Sequence, residues 1–235
     1  MLSIIIPTFN EEGYLPILLG SLKKQTFKDF EVIVADNNSS DRTRIIAKKF
    51  GAKVVKGGMP AVGRNNGAKG AKGDWLLFLD ADVVLPFDFL DKAMREIKNK
   101  NLSVASCLVT PLSDKKIDKF LHGVANLSFK VSERFSPHAP GFCIFIKTKV
   151  HKLLNGFDER LKLREDHDYV RRGSCLGKFG LLKLIRISVS VRRLEKDGRF
   201  NILFKYILVE LHSLFLGPIY SDVFNYKFGG YSKRK

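Results

Sequence analysis

The first hundred residues alternate short apolar segments with segments of helical periodicity, and this alternation constrains the fold more than any other feature. Four apolar segments, 2–6, 31–35, 52–56 and 75–79, have the length and β-branched content of strands. Apolar residues at helical spacing lie between them, as at Leu15, Leu18, Leu19 and Leu22. Strands that are apolar on both faces and alternate with helices form parallel sheets covered on both sides. The sequence therefore predicts an α/β fold with a mostly parallel sheet.

Polar residues directly follow three of these strands. Thr8 and Glu11 follow the first, Asp36 ends the second, and Asp80 and Asp82 follow the fourth. Because ligands of such sheets bind beyond the carboxyl ends of the strands, these side chains are expected to share one site. Two carboxylates at i and i+2 can converge on a hard divalent cation, and Asp36 can accept hydrogen bonds from a nucleobase or a ribose. Alternatively, each of these residues only shapes a turn or caps a helix.

Further candidates for chemistry lie later in the chain. Arg64, in the segment Gly-Arg-Asn-Asn-Gly at the start of a helix predicted over 63–72, can grip a diphosphate. This segment is neither a GxxxxGK[ST] phosphate loop nor GxGxxG, which argues against P-loop and dinucleotide chemistry. Glu165 and Asp166 can supply a general base, or can be acids that a helix dipole favours. The pair Arg192 and Arg193 can hold phosphate or belong to a basic surface.

The second half is less regular and ends in a basic, amphipathic segment. From residue 183 to 235, eleven Lys and Arg stand against four Asp and Glu. An apolar face in such a segment predicts a helix lying on an anionic membrane, with packing onto the domain or a second subunit as the alternative. Strands are predicted over 103–110, 142–146, 179–185 and 187–191, and helices over 114–132 and 200–216. The apolar face of the tail consists of Phe200, Leu203, Phe204, Ile207, Leu208, Leu211, Leu214 and Phe215.

The amino-acid composition excludes several classes of protein and indicates the cellular compartment. A hydrophobic content of 45% excludes general disorder, and the net charge of +17 favours anionic partners. Cys107, Cys143 and Cys175 are far apart without a CxxC, which argues against a disulfide framework and a structural zinc site. The first residues lack a basic lead, and no apolar run reaches the length of a membrane span. We therefore expect a reduced, cytoplasmic chain, peripheral to the membrane if its tail binds lipid.

Six segments of the chain resemble glycosyltransferase family 2 in order and spacing, over about residues 1–195. The resemblance implies the GT-A fold, which is Rossmann-like, with a nucleotide-binding half over 1–100, an acceptor half over 101–195 and a tail over 196–235. It also implies an inverting, metal-dependent transfer from a UDP- or GDP-linked sugar to a saccharide or lipid-linked acceptor. The Gln-x-x-Arg-Trp motif of processive members is absent, so addition of a single sugar is expected. The six segments are 4–12, 34–43, 63–67, 78–82, 155–159 and 165–166.

The resemblance also assigns roles to individual residues. Asp166 would be the catalytic base, and Asp80 and Asp82 would hold Mn²⁺ or Mg²⁺. Glu165, Arg192 and Arg193 would contact the acceptor or the sugar. Asn37-Asn38 departs from the Asp-Gly or Asn-Gly common after the second strand, which affects the shape of that loop. The donor nucleotide would be bound by Pro7, Thr8, Glu11, Asp36, Arg64 and Asp80.

Other functions fit the sequence less well. A module that binds a nucleotide sugar without catalysis, next to a membrane or partner protein, is the main alternative. The sequence has no helix-turn-helix, zinc-finger or aromatic RNA-binding signature, and its basic residues are spread along the chain, which argues against nucleic-acid binding. A sugar nucleotidyltransferase would carry a Gly-rich loop where this chain has Pro-Thr-Phe-Asn-Glu at 7–11. Homo-oligomers through the C-terminal helix are a further expectation.

Overall fold

The computed structural model describes residues 1–135 and 137–221, apart from the side chains of Arg134 and Leu214. The tail residues 222–235 and the Leu214 side chain therefore lie outside it. The first four strands pair in parallel in the order β3-β2-β1-β4, which confirms the sheet predicted for the first half. The elements of this half are β1 (Leu2–Thr8), α1 (Leu15–Lys23), β2 (Phe30–Asp36), α2 (Thr43–Lys49), β3 (Lys53–Lys56), α3 (Pro60–Lys69), β4 (Trp75–Leu79), β5 (Val83–Val84) and α4 (Phe89–Asn99).

The second half extends the same sheet with mixed pairing, as β4-β7-β6-β8-β5. This half adds four pairs of neighbouring strands to the described sheet, and only the pair β6 and β8 runs parallel. The elements of this half are β6 (Val104–Pro111), α5 (Lys116–Phe135), β7 (Cys143–Lys147), α6 (Thr148–Leu153), α7 (Glu165–Leu176), β8 (Phe179–Val189), α8 (Arg192–Lys196) and α9 (Arg199–Phe215).

Strand β8 is one strand where the sequence predicted two. Its pairing with β6 jumps from Leu182 to Arg186, so the residues between them leave the ladder. The carboxylate of Glu96 on α4 accepts the backbone N–H groups of Lys183 and Leu184, at 3.1 and 3.3 Å. Because a side chain satisfies these donors, the strand continues through the irregularity.

Helices cover both faces of the sheet, as predicted. Ile4 and Ile6 of β1 point into an apolar layer that includes α1 and α4, whereas Ile5 points into a second layer that includes α3 and α7. This alternation is the two-residue period of a strand, and burial of each such side chain stabilises the fold by about 1.5–3 kcal/mol. Among the described helices, none is both long and apolar enough to cross a bilayer.

Several element boundaries differ from the prediction. At the start of α2, the Asp41 carboxylate accepts the N–H of Thr43 at 2.9 Å. Helix α3 begins at Pro60 rather than residue 63, because the fixed φ of proline suits a first helical turn. Helix α4 begins at Phe89, three residues after Pro86. The domain boundary predicted between 195 and 196 falls inside α8.

Candidate active site

The ends of β1 and β2 bring Thr8 and Asp36 together. The two residues are paired in the sheet register, and the Thr8 hydroxyl donates to Asp36 Oδ2 at 3.0 Å. The backbone N–H of Ser39 donates to Asp36 Oδ1 at 3.0 Å, and the Ser39 hydroxyl also donates to this carboxylate. Pro7 lies beside α3, 3.2 Å from where a Cβ on Gly63 would stand. Asp36 therefore shapes its own loop, and its predicted contact with a nucleobase stays a prediction.

Arg64 of α3 joins the end of β4 to the start of α7. Its side chain is only 3% exposed; Nη1 donates to Glu165 Oε1 at 2.8 Å, and Nη2 donates to Asp80 Oδ1 at 3.0 Å. The guanidinium also lies 5.4 Å from the centre of the Phe157 ring. In the structure, both terminal nitrogens of Arg64 bond to carboxylates of the site. The contact with a diphosphate predicted for Arg64 stays a prediction.

Asp166 is held in place by backbone donors. Its Oδ2 accepts the N–H of Gly141 at 2.6 Å, and its Oδ1 accepts the N–H of His167 at 2.8 Å. Burial raises the pKa of Asp166 above its ordinary value. Burial, together with the charge of Asp166, raises the pKa of the neighbouring Glu165 to about 7. Carboxylates of raised pKa beside a buried arginine are suited to receive a proton near neutral pH.

The close approach of Gly141 to Arg64 yields a prediction. A Cβ on residue 141 would collide with Arg64 Nη2 and would stand 3.3 Å from Asp166 Oδ2. We expect Gly141→Ala to displace both side chains and to lower kcat/KM of the reaction at this site about a hundredfold. The matched control is Gly123→Ala on α5, where a Cβ would meet nothing within 4 Å. Equal activity of the two variants would contradict this account of Gly141.

Arg192 forms a second centre on the other side of Asp80. Its Nη1 and Nη2 donate to the two oxygens of Glu11 at 2.8 and 2.7 Å, and its Nε lies 2.9 Å from Asp82 Oδ2. The guanidinium also covers the ring of Tyr14 at 4.5 Å. The structure places Arg192 with Glu11, predicted to bind the donor, and with Asp82, predicted to hold the metal; the predicted contact of Arg192 with the acceptor or the sugar stays a prediction. Sequence reasoning missed this pairing because it joins positions 181 residues apart.

The carboxylates of Asp80 and Asp82 have the hard oxygens that a divalent cation prefers. Asp80 remains partly exposed, with 40% of its side chain accessible, whereas Asp82 is engaged by Arg192. Burial raises the pKa of Asp82, although the charges of Arg192 and Arg193 act in the opposite direction. Within the described part of the chain, no three His, Cys, Asp or Glu side chains lie together as a preformed metal site. The pair thus suits a cation only if a bound ligand contributes further oxygens.

Asn65 is a positioning residue to which sequence reasoning gave no role. Its Oδ1 accepts the N–H of Phe157 at 2.8 Å, and its Nδ2 donates to the Phe157 carbonyl at 2.9 Å and to Glu159 Oε1 at 2.8 Å. Gly156, with φ of +76°, allows the close approach of the two segments. Asn65 thereby fixes the segment 155–159 against α3, next to Arg64.

Comparison with known proteins places this site in a family. The model of Glycosyl transferase family 2 matches residues 3–152. An uncharacterized glycosyltransferase of Haemophilus influenzae is 39% identical over 108 residues, covering 44% of this chain and 37% of that protein. A GalNAc(5)-diNAcBac-PP-undecaprenol beta-1,3-glucosyltransferase of Campylobacter jejuni is 35% identical over 119 residues, covering 46% of this chain and 38% of that protein. The chain thus matches well under half the length of these relatives.

A solved structure supports the same conclusion at the level of the fold. Residues 1–349 of TarS of Staphylococcus aureus, in complex with UDP-GlcNAc, superpose with a TM-score of 0.67 at 26% identity. The match covers 80% of this chain and 58% of that one. It confirms the predicted GT-A type of α/β fold. Since the family model spans more than half of the chain, the protein belongs to glycosyltransferase family 2.

Proposed function

We propose that this protein transfers one sugar from a UDP- or GDP-linked donor to a hydroxyl or phosphate of an acceptor, with inversion at the anomeric carbon. The observation that carries the proposal is the half-buried Asp166 carboxylate, held by Gly141 and His167 beside the Arg64–Glu165–Asp80 cluster. A fixed proton acceptor stands at the carboxyl edge of the sheet, where ligands of such folds bind. The named activities of the relatives, which include sugar transfer to a lipid-linked acceptor, support the same reaction class.

The chemistry follows from the positions of these groups. The acceptor oxygen forms a bond to the anomeric carbon while the bond from that carbon to the diphosphate oxygen breaks. Asp166 receives the proton of an acceptor hydroxyl, and the nucleoside diphosphate leaves with the bonding electrons. A single displacement of this kind inverts the anomeric configuration.

Asp80 and Asp82 would hold a divalent cation, Mn²⁺ or Mg²⁺, together with oxygens of the diphosphate. Such a cation stabilises the negative charge of the leaving group. With the cation bound, Arg192 would either contact Asp82 together with the cation or lose this contact, because its Nε lies 2.9 Å from that carboxylate. Arg64 keeps Asp80 and Glu165 in place during the reaction by its two charge-assisted hydrogen bonds.

Calorimetric titration with UDP and with GDP, each with and without Mn²⁺, tests the donor side of this proposal. We expect one nucleotide to bind about tenfold or more tightly with Mn²⁺, a gain of about 1.4 kcal/mol or more. Asp82→Asn should remove that gain, whereas Asp91→Asn, an aspartate on the exposed side of α4, should keep it. Failure of both nucleotides to bind would overturn the proposal. Binding without transfer to any acceptor would instead favour the non-catalytic binding module.

A further inference from the structure

Helix α5 presents its apolar face outward. Phe120, Val124, Leu127, Val131 and Phe135 form a stripe along the exposed side of the helix. An amphipathic helix normally turns such a stripe toward the core. Among the described side chains of α5, the two buried ones, Asp118 and Asn126, are polar, and the half-buried Phe129 packs against the core. The Asn126 amide bonds to both backbone groups of Val109.

Helix α9 repeats this arrangement. Phe200, Phe204, Ile207, Leu211 and Phe215 are exposed and follow the same four-three-four-four spacing as the stripe of α5. The side of α9 that faces the protein includes the buried Ile202.

An ion pair joins the starts of the two helices, and side chains further along each helix contact residues near Asp166. Arg199, at the start of α9, donates to both oxygens of the fully buried Asp118 carboxylate near the start of α5, at 2.6 and 2.9 Å. On α5, eleven residues after Asp118, Phe129 contacts His138. On α9, eleven residues after Arg199, Glu210 pairs with Arg164 at 3.0 Å. His138 stacks on His167, and Arg164 bonds to His167, the neighbour of Asp166. Each helix therefore contacts, through one of these side chains, a residue that touches His167, the neighbour of Asp166.

The acidic and the basic residues of α5 lie on different sides of the helix. Its acidic residues point inward, since Asp118 pairs with Arg199 and Glu133 bonds to the Leu181 N–H and to Lys183. Its lysines at 116, 119 and 130 are exposed alongside the apolar stripe. Lysines around exposed aromatic and aliphatic side chains complement an anionic lipid surface, whereas they would repel one another across an interface between two copies.

We propose that the outward stripes of α5 and α9 form one docking surface for a bilayer that contains anionic phospholipids. The apolar side chains enter the boundary between head groups and acyl chains, and the lysines remain among the head groups. The surface binds lipid whether or not a nucleotide sugar is present, so the proposal goes beyond sugar transfer. For a lipid-linked acceptor, it would bring the sugar-accepting end close to Asp166.

Flotation of the full chain with vesicles, at low salt and without nucleotide, tests the surface. We expect co-flotation with vesicles that contain phosphatidylglycerol and weaker binding to phosphatidylcholine alone or at high salt. Phe120→Ser/Leu127→Ser on α5 should lower partitioning roughly tenfold or more, since it removes two large apolar side chains from the lipid. The matched control is Phe87→Ser/Leu153→Ser, which removes the same side chains elsewhere; their exposed fractions are 64 and 62%, against 66 and 62% on α5.

Each outcome decides the proposal. Absence of flotation of the unaltered chain, or equal partitioning of the two double variants, would overturn it. A dimer in sedimentation velocity that only the α5 variant dissociates, without flotation, would show that the stripes bind a second copy instead. Nucleotide binding by calorimetry, measured on both double variants, confirms that they are folded and keeps this test separate from the proposed transfer reaction.

Discussion

Replacing Asp166 by asparagine is expected to lower the rate of sugar transfer about a thousandfold, within the range that a general base supplies. Asparagine keeps the shape of the side chain and can still accept the Gly141 N–H, which donates to Oδ2 at 2.6 Å in the native site. It removes the proposed proton acceptor, so kcat should fall while the affinity for the donor nucleotide changes little. Steady-state kinetics and calorimetric titration with the nucleotide measure the two quantities separately.

The matched control is Asp168→Asn, in the same first turn of α7. Asp168 pairs with Arg172 at 2.7 Å and with Arg171, not with Arg64, so its replacement should change the rate only a few-fold. Near-normal turnover of Asp166→Asn would show that another group accepts the proton. A comparable loss in both variants would instead indicate that charge at the start of α7 matters more than the identity of the base.

Replacing Arg64 by methionine is expected to lower the free energy of unfolding by about 3–5 kcal/mol, the usual result of breaking a buried ion pair from one side. The guanidinium is 3% exposed and bonds to Glu165 and Asp80, and its charge also acts on Asp166. Without it, the buried Glu165 carboxylate loses its cationic partner and remains beside the half-buried carboxylates of Asp80 and Asp166. Urea or guanidinium denaturation of the purified variant measures the change.

A second variant separates loss of charge balance from loss of packing. Arg64→Met/Glu165→Gln leaves one buried carboxylate fewer, and we expect it to be more stable than Arg64→Met alone. Arg95→Met serves as a surface control, because Arg95 is exposed and pairs with Asp91 on α4, so its removal should hardly change stability. An Arg64→Met protein as stable as the surface control would contradict the proposed balance of charge in the site.

Much of the site was predictable because its residues are placed by local patterns. Thr8, Asp36, Asp80 and Asp82 follow strands that the sequence identifies, and the carboxyl ends of parallel strands meet at one edge. Asp166 lies in an acidic segment that begins a helix, as one interpretation of the sequence had it. The partners of these residues were not predictable in the same way. The pairing of Arg192 with Glu11 and Asp82 depends on where β8 and α8 come to lie, which no spacing along the chain encodes.

The sequence by itself therefore determined most strands, most helices and the polar residue types at the edge of the sheet, since hydrophobic period and residue type act over a few neighbours. The tertiary structure alone decided which side of each helix meets water and which charges meet each other. Helix α5 shows the difference: the sequence correctly predicted a helix there, yet the apolar stripe of that helix lies on its exposed side. Its inward side is fixed by Arg199 and by the backbone of Val109, and these distant partners exist only after the chain has folded.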